Sequence, residues 1–308
     1  MPNAAPLEPP QAAGELADNV TAYGIYEIDP GGVIRSWNPG AENLTGLRAR
    51  DVLGKPYGRL FDAAEHALRA PHRNLQFVRE HGHLREEQWR LKRDGSRYLA
   101  RFTLDAARTD SGALKRFVEV VHDITDERAR EQALYQQATR DALTGVMNRG
   151  HFMQQAASEI ERALRFHDPL CLALLDIDYF KRVNDNHGHE VGDKAIILVA
   201  NTVTQNLRRV DTFARVGGEE FAILLPRAND QAAADFLQRI RRAVADTPLQ
   251  IEGHTLNLSI SIGVTQLHEP ARDIADLMRQ ADVALYRAKR EGRNQVQVWV
   301  KHSPMPGP

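Results

Sequence analysis

Residues 170–181 read Leu-Cys-Leu-Ala-Leu-Leu-Asp-Ile-Asp-Tyr-Phe-Lys. From Leu170 to Ile177 the run is apolar save for one carboxylate, the pattern of a strand buried on both faces in the middle of a sheet. Such a strand needs helices on either side, so the surrounding residues are expected to form an α/β layer. Asp176 and Asp178 stand at its carboxyl end, where ligand sites of α/β sheets collect. Read as an extended segment, the two are expected to point to opposite faces, so that at most one joins a given site. Carboxylate oxygens there suit Mg²⁺, which favours a few carboxylates plus substrate phosphates. The plain alternative is a polar strand end that caps a neighbouring helix.

Working outward, 212–216 and 221–225 read as two strands of a hairpin about Gly217-Gly218. Two glycines there let the backbone approach a ligand closely, and Glu219 and Glu220 add carboxylates beside them. The plain alternative is an ordinary turn. Leu256, Leu258, Ile260, Ile262 and Val264 alternate as one strand, and helices fit 192–207, Asp230–Ala245 and 271–290. Residues 184–193, with Gly188, His189 and Gly192, read as a tight polar loop entering a helix. Lys289 and Arg293 flank Gly292 at a helix end, where cations complement the helix dipole.

Upstream, residues 1–18 carry Pro2, Pro6, Pro9 and Pro10 without periodicity and are expected to be a disordered tail, as are 302–308. Residues 19–125 follow an α+β pattern. Short strands at 26–29 and 33–37 surround Pro30-Gly31-Gly32. A helical stretch, 41–81, is interrupted at Gly46, Gly54, Pro56 and Pro71. Three strands follow at 88–92, 98–104 and 114–122. Residues 126–140 lack Gly and Pro and have high helix propensity, so a helical linker is expected. A heptad row of Ile124, Glu131 and Ala138 puts a charge in the seam, leaving a solvated connector and a dimeric signalling coil as alternatives.

Two resemblances emerge. Gly24-Ile25-Tyr26 through Gly46, with Ser36-Trp37-Asn38 and Ala41-Glu42, resembles the opening of a PAS sensor domain. The stretch from Trp89 to Ser96 and the closing Asp123-Ile124-Thr125 resemble its end. The implied fold for 19–125 is an antiparallel sheet with flanking helices. The second resemblance covers 141–301. Asp141-Ala142-Leu143-Thr144-Gly145 with Asn148-Arg149, then Asp176 to Lys181, Asn184-Asp185, Gly188-His189 and Gly192-Asp193 match the GGDEF domain of diguanylate cyclases in order. Gly217 to Phe221 and Lys289 with Gly292-Arg293-Asn294 complete the match. Glu219 stands where the family name has Asp, a variant that active members use. The implied fold is the α/β, palm-like type of the nucleotide cyclases.

The GGDEF resemblance implies a homodimeric enzyme that joins two GTP into cyclic di-GMP with loss of pyrophosphate. It implies Asp176, the Ile177 carbonyl and Glu219 as ligands of Mg²⁺, with Mn²⁺ the alternative. Glu220 is the further acidic residue near catalysis. Phosphate contacts fall to Lys181, the backbone around Tyr179 and Phe180, Lys289 and Arg293. Guanine contacts fall to Asn184 and Asp193, whose carboxylate accepts from N–H groups that adenine lacks. Arg208-Arg209-Val210-Asp211 matches the family's product-inhibition motif, in which Arg208 and Asp211 grip cyclic di-GMP and Arg239 joins them. A charge pair at a helix end is the plain alternative. The competing function is a catalytically silent GGDEF protein that binds nucleotide and signals through protein contacts.

Composition sets the outer bounds. The length of 308 residues suggests two domains at ~150 residues each. Lys plus Arg number 40 against 41 Asp plus Glu, a net charge of −1, which argues against bulk binding to nucleic acid or an anionic membrane. No apolar run approaches the ~18 residues of a membrane helix, and no secretory pattern opens the chain, so direct membrane insertion is not expected and the cytoplasm is. Cys171 is the single cysteine, so flavin–thiol photochemistry in the PAS segment is excluded. A PAS ligand is otherwise open: haem would draw on His66, His72, His81 or His83, and flavin on Trp37 or Trp89.

Overall fold

The structure, a computed structural model, describes residues 20–251, 253–268 and 273–300. Both expected tails lie outside the described residues. The chain divides into two compact units, Met1–Gln132 and Ala133–Pro308.

The first unit is a four-stranded antiparallel sheet in the order β1-β4-β3-β2. After β1 (Gly24–Ile28) come helices α1 (Pro39–Thr45), α2 (Ala49–Val52), a 3₁₀ turn (Tyr57–Leu60), α3 (Ala63–Ala67) and α4 (Ala70–His81). Strands β2 (His83–Leu91), β3 (Arg97–Arg108) and β4 (Leu114–Asp123) close the sheet. Along β3, Tyr98, Ala100, Phe102 and Leu104 point into the core, as their alternation requires. This is the α+β fold expected of a PAS domain.

Two local expectations need correction. Residues 33–37 do not form a strand. The turn before them is held by Asp29, whose Oδ1 accepts from Gly31 N and Val33 N at 2.9 Å each. Beyond it, side chains take over half of the ladder: Glu27 N donates to Ser36 Oγ at 2.9 Å and Ile25 N to Asn38 Oδ1 at 2.8 Å, while Arg35 N and Asn38 N still donate to Glu27 O and Ile25 O. Pro71 does not interrupt a helix but starts one, in the first turn of α4, where its missing N–H costs nothing.

The centre of this core holds an ion pair. Arg90 and Glu119 are 1% and 0% exposed. Arg90 Nη2 donates to Glu119 Oε1 at 3.2 Å and to the Tyr57 hydroxyl at 3.0 Å, and the Tyr26 hydroxyl donates to the same Glu119 oxygen at 2.9 Å. The guanidinium stacks 3.6 Å from the centre of the Phe61 ring. Arg90 Nε and Nη1 and Glu119 Oε2 have no hydrogen-bond partner among the described residues. The four histidines considered for haem are all exposed. His66, His81 and His83 pair with Gly58 O, Phe77 O and Asp105, respectively. Trp37 is buried against Tyr26, its indole N–H donating to Leu47 O at 2.9 Å, while Trp89 lies at the surface under Arg97.

Helix α5 (Thr125–Thr139) contains the division between the units, and Leu134 and Tyr135 on it are exposed. Its first turns are bound to the sheet of the first unit, with Arg128 Nη2 donating to both oxygens of Glu87 at 3.0 Å.

The second unit is a six-stranded mixed sheet in the order β12-β11-β6-β8-β7-β5. Its elements are β5 (Met147–Asn148), α6 (Arg149–Phe166), β6 (Leu170–Ile177), α7 (Phe180–His187), α8 (His189–Asn206), β7 (Thr212–Arg215), β8 (Glu220–Pro226), α9 (Asp230–Ala245), β9 (Leu249–Ile251), β10 (His254–Leu256), β11 (Ile260–Gln266), α10 (Ile274–Arg290) and β12 (Val296–Val298). Every residue of β6 is buried. Its odd-numbered residues, Cys171 to Ile177, join a core with α8 and α9, while Leu170, Leu172 and Leu174 join a second core with α6 and α10. An apolar run buried on both faces therefore also suits a strand whose two neighbours are antiparallel. The single strand expected from Leu256 to Val264 is two: β10 pairs with β9 in a separate ribbon, and β11 begins at Ile260. Residues 257–259 belong to neither strand, although Ser259 O still accepts from Asp178 N at 2.9 Å, one rung beyond the β6–β11 register. Gly263 on β11 permits this architecture, since a Cβ there would strike the backbone of α10 at Ala281 and Leu285. No helix among the described residues is long and apolar enough to cross a membrane.

Candidate active site

The alternation of β6 decides where its carboxylate goes. Asp176 continues the even-numbered face that packs on α10, and Lys289 in the last turn of that helix meets it, Nζ to Oδ2 at 2.7 Å. Asp176 is 5% exposed. Burial raises its pKa to about 6; Lys289 opposes the rise, and Glu219 and Glu220 add to it. The hairpin places those two acids: Glu220 lies opposite Asp176 in the register of β6 and β8, and Ile177 N donates to Glu219 O at 3.4 Å.

Residues two apart on one strand share a face, so pleating alone would put Asp178 beside Asp176. The strand ends at Ile177, and the Asp178 carboxylate is taken up by its own donors, Ser259 Oγ, Ser261 Oγ and Asn294 N. The expectation of opposite faces fails: Asp178 stays on the face of Asp176, bonded to Ser259 and to Ser261, the residue opposite Asp176 in the register.

Tyr179 has a left-handed backbone, φ 56°, that swings the chain from β6 into α7. Its exposed ring lies 4.5 Å from the guanidinium of Arg293. Phe180 opens α7 and is half-buried, and Lys181 is exposed in its first turn. Residues 184–193 are not a loop but a corner between α7 and α8, with Gly188 as the joint at φ 82°. Across that corner Asn184 faces Gly192 so closely that a Cβ there would collide with its Oδ1. That oxygen is buried with no hydrogen-bond partner among the described residues. Asp193 is exposed one position further on.

The Gly-Gly turn is tied to the beginning of the unit through Arg215, which heads that stretch of sequence without a role of its own being expected. Arg215 donates from Nε to Gly218 O at 2.9 Å and from Nη1 to Asp141 Oδ1 at 3.1 Å. Burial disfavours the Asp141 carboxylate, but Thr144 and Arg215 outweigh it and hold its pKa below the ordinary value. The Asp-Ala-Leu-Thr-Gly segment thus braces the turn that carries Glu219.

Arg208, Asp211 and Arg239 form a separate group. Asp211 Oδ2 accepts from Arg208 N at 2.8 Å, a bond to the backbone rather than to the guanidinium. The two guanidinium groups converge over one ring, with Arg208 at 5.6 Å and Arg239 at 5.0 Å from the centre of Phe236 on α9. Burial raises the Asp211 pKa, with Arg208 opposing.

Comparison with known proteins matches both halves in order. Residues 22–126 match the PAS domain and residues 138–295 match the diguanylate cyclase, GGDEF domain. The chain is 39% identical over 192 residues to the diguanylate cyclase DgcP of Pseudomonas aeruginosa, covering 61% of this chain and 28% of that protein. It is 38% identical over 177 residues to the diguanylate cyclase DgcM of Escherichia coli K12, covering 58% of this chain and 42% of that one. The chain thus spans less than half the length of these curated relatives. Among solved structures, the coiled coil and GGDEF domain of DgcB from Caulobacter crescentus, in complex with c-di-GMP, superposes with a TM-score of 0.52 at 34% identity, covering 56% of this chain and 93% of that one.

Proposed function

Because the chain belongs to the GGDEF diguanylate cyclase family, we propose that its second unit condenses two GTP into cyclic di-GMP and two pyrophosphates, under the control of the PAS unit. The observation that carries this reading is the meeting of Asp176, Glu219, Glu220 and Lys289 at the end of β6. Two carboxylates and the Ile177 carbonyl are the hard oxygen donors that suit Mg²⁺, with coordination positions left for water and phosphate. A cation is already drawn there, the ammonium of Lys289 on Asp176. When bound, the ion would supply charge neutralisation of the triphosphate and activation of the attacking 3′-hydroxyl.

The chain's own residues do the rest. Lys289, Arg293 and Lys181 take phosphate oxygens, joined by the free N–H groups where α7 begins after Tyr179. Asn184 Oδ1, buried and without a partner among the described residues, accepts from guanine, and Asp193 accepts from N1–H and the exocyclic amine. Each ribose 3′-oxygen attacks the α-phosphorus of the opposite GTP. The new P–O bond forms as the bond to pyrophosphate breaks. Each copy supplies one half-site, so a homodimer is required. Arg208 and Arg239, stacked over Phe236, with Asp211 beside Arg208, form the site where product binds and inhibits. The cytoplasm supplies the GTP, and we place the protein there.

Incubation of the purified chain with GTP and Mg²⁺ tests the reading. Cyclic di-GMP and pyrophosphate in a one-to-two ratio are expected. Nucleotide binding without product, at concentrations where the chain dimerises, would instead support the silent signalling protein.

A further inference from the structure

Asp178 is as buried as Asp176, at 5% exposure, and stands next to the metal-ligand candidate Ile177. Its carboxylate goes elsewhere. Oδ2 accepts from Ser259 Oγ at 2.7 Å and Asn294 N at 3.0 Å, and Oδ1 accepts from Ser261 Oγ at 2.6 Å. Its own N–H donates to Ser259 O at 2.9 Å. The donors come from the segment entering β11, from β11 itself and from the turn after α10. A buried carboxylate is costly, and bonds this short from hydroxyl and amide groups are what offset it.

What Asp178 holds is a strained turn. Arg293 and Asn294 both carry a Cβ, yet adopt left-handed backbones, φ 64° and 46°. Asn294 is tied a second time, its Oδ1 accepting from Arg241 Nη1 on α9 at 2.6 Å. On the other side, Asp178 is the chain neighbour of Tyr179, whose backbone is also left-handed and whose ring receives the Arg293 guanidinium at 4.5 Å. One carboxylate therefore fixes both halves of the stack: Tyr179 through the chain, and Arg293 through the amide of Asn294.

We propose that Asp178 is a positioning residue for triphosphate binding, locking the Arg293–Asn294 turn against Tyr179 so that Arg293 holds its charge at the phosphate site. This rests on the reading of Arg293 as a phosphate contact. Asp178 acts as an acceptor, so asparagine can replace it. Asn Oδ1 would accept from Ser259 and Asn294, and the Ser261 hydroxyl would reverse to accept from the new amide.

The test measures binding of guanosine 5′-(α,β-methylene)triphosphate and of guanosine, each with Mg²⁺, to the full chain and its variants. Asp178→Ala should weaken the triphosphate analogue at least about tenfold, the loss of one or more charge-assisted contacts, and leave guanosine within about twofold. Asp178→Asn should stay within about threefold of the parent for both ligands. Ser261→Ala, which removes one of the three donors, should fall between. In hydrogen exchange, the 291–298 segment should exchange faster in Asp178→Ala and at the parental rate in Asp178→Asn. Equal losses for guanosine and the analogue would overturn the proposal, as would an asparagine variant that behaves like alanine. The exchange measurement needs no ligand. Unchanged exchange in the alanine variant refutes the hold on the turn, even if the parent chain binds no guanine nucleotide, a result that would count against the proposed function instead.

Discussion

Glu119→Gln should cost the first unit about as much as a large core deletion, although it changes one atom. Arg90 and Glu119 are 1% and 0% exposed and 3.2 Å apart. At an effective dielectric of about 20, charges at that separation attract by roughly 5 kcal/mol, most of it offsetting the cost of taking both out of water. Removing one partner leaves the desolvation of the other, about 3–5 kcal/mol. For a unit of this size that lowers the melting temperature by roughly 12 °C or more. The two single variants should differ. After Glu119→Gln the guanidinium cannot shed its proton and stays charged. After Arg90→Met, Glu119 loses the one cation that opposes the upward push of burial, and it takes up a proton. The folded state then binds more protons than the unfolded state above the ordinary glutamate value of 4.5, so Arg90→Met loses stability as pH rises through that range. Replacing both, Arg90→Met with Glu119→Leu, removes three polar atoms that have no partner among the described residues but strips the Tyr26 and Tyr57 hydroxyls of theirs, so stability should recover only part of the way to the parental level. Calorimetry of the full chain reads this, with pulsed hydrogen exchange of β3 and β4 assigning the transition. A double variant as unstable as the worse single one would refute the reasoning, as would Glu119→Gln within about 1 kcal/mol of the parent.

Three further outcomes are expected. The pKa of Asp176, raised to about 6 chiefly by burial, means that its carboxylate is protonated below that value. Mg²⁺ affinity, followed by calorimetric titration, should therefore hold above about pH 7 and fall as pH drops through 6, and a flat profile would remove Asp176 from the ligand set. Gly192→Ala drives a Cβ into Asn184 Oδ1 and should raise KM for GTP by about tenfold or more with the melting temperature little changed; an unaltered KM would separate Asn184 from guanine binding. Arg208→Ala should right-shift inhibition by added cyclic di-GMP at least about tenfold without slowing the uninhibited rate, and an unchanged inhibition curve would assign the Arg208–Phe236–Arg239 cluster to packing alone.

What the sequence made legible is what periodicity and composition encode. Leu170–Ile177 reads as a strand buried on both faces and is one; Asp230–Ala245 begins and ends as a helix where its pattern does. The hairpin about Gly217 follows from two glycines between apolar runs. Local pattern fails where side chains take over the backbone's bonds. Nothing in Val33 to Trp37 says that Ser36 and Asn38 will accept the amides of β1 and prevent a second strand. Nothing in the alternation from Leu256 to Val264 says that residues 257–259 will belong to neither β10 nor β11.

The same limit explains why the candidate site was readable as a set of residues but not as a mechanism of placement. Asp176, Glu219 and Lys289 come from three stretches of chain, and they meet because the even face of β6 packs on α10 while β8 runs antiparallel beside it. That packing depends on a missing side chain, Gly263, and on a carboxylate, Asp178, that binds no cation in its immediate network but two serines and an amide. A net charge of −1 over the whole chain carries no trace of this arrangement. The charge that would face a triphosphate is local, a few cations set at one strand end. Their positions are fixed by neutral and anionic neighbours, in which a sequence shows no motif.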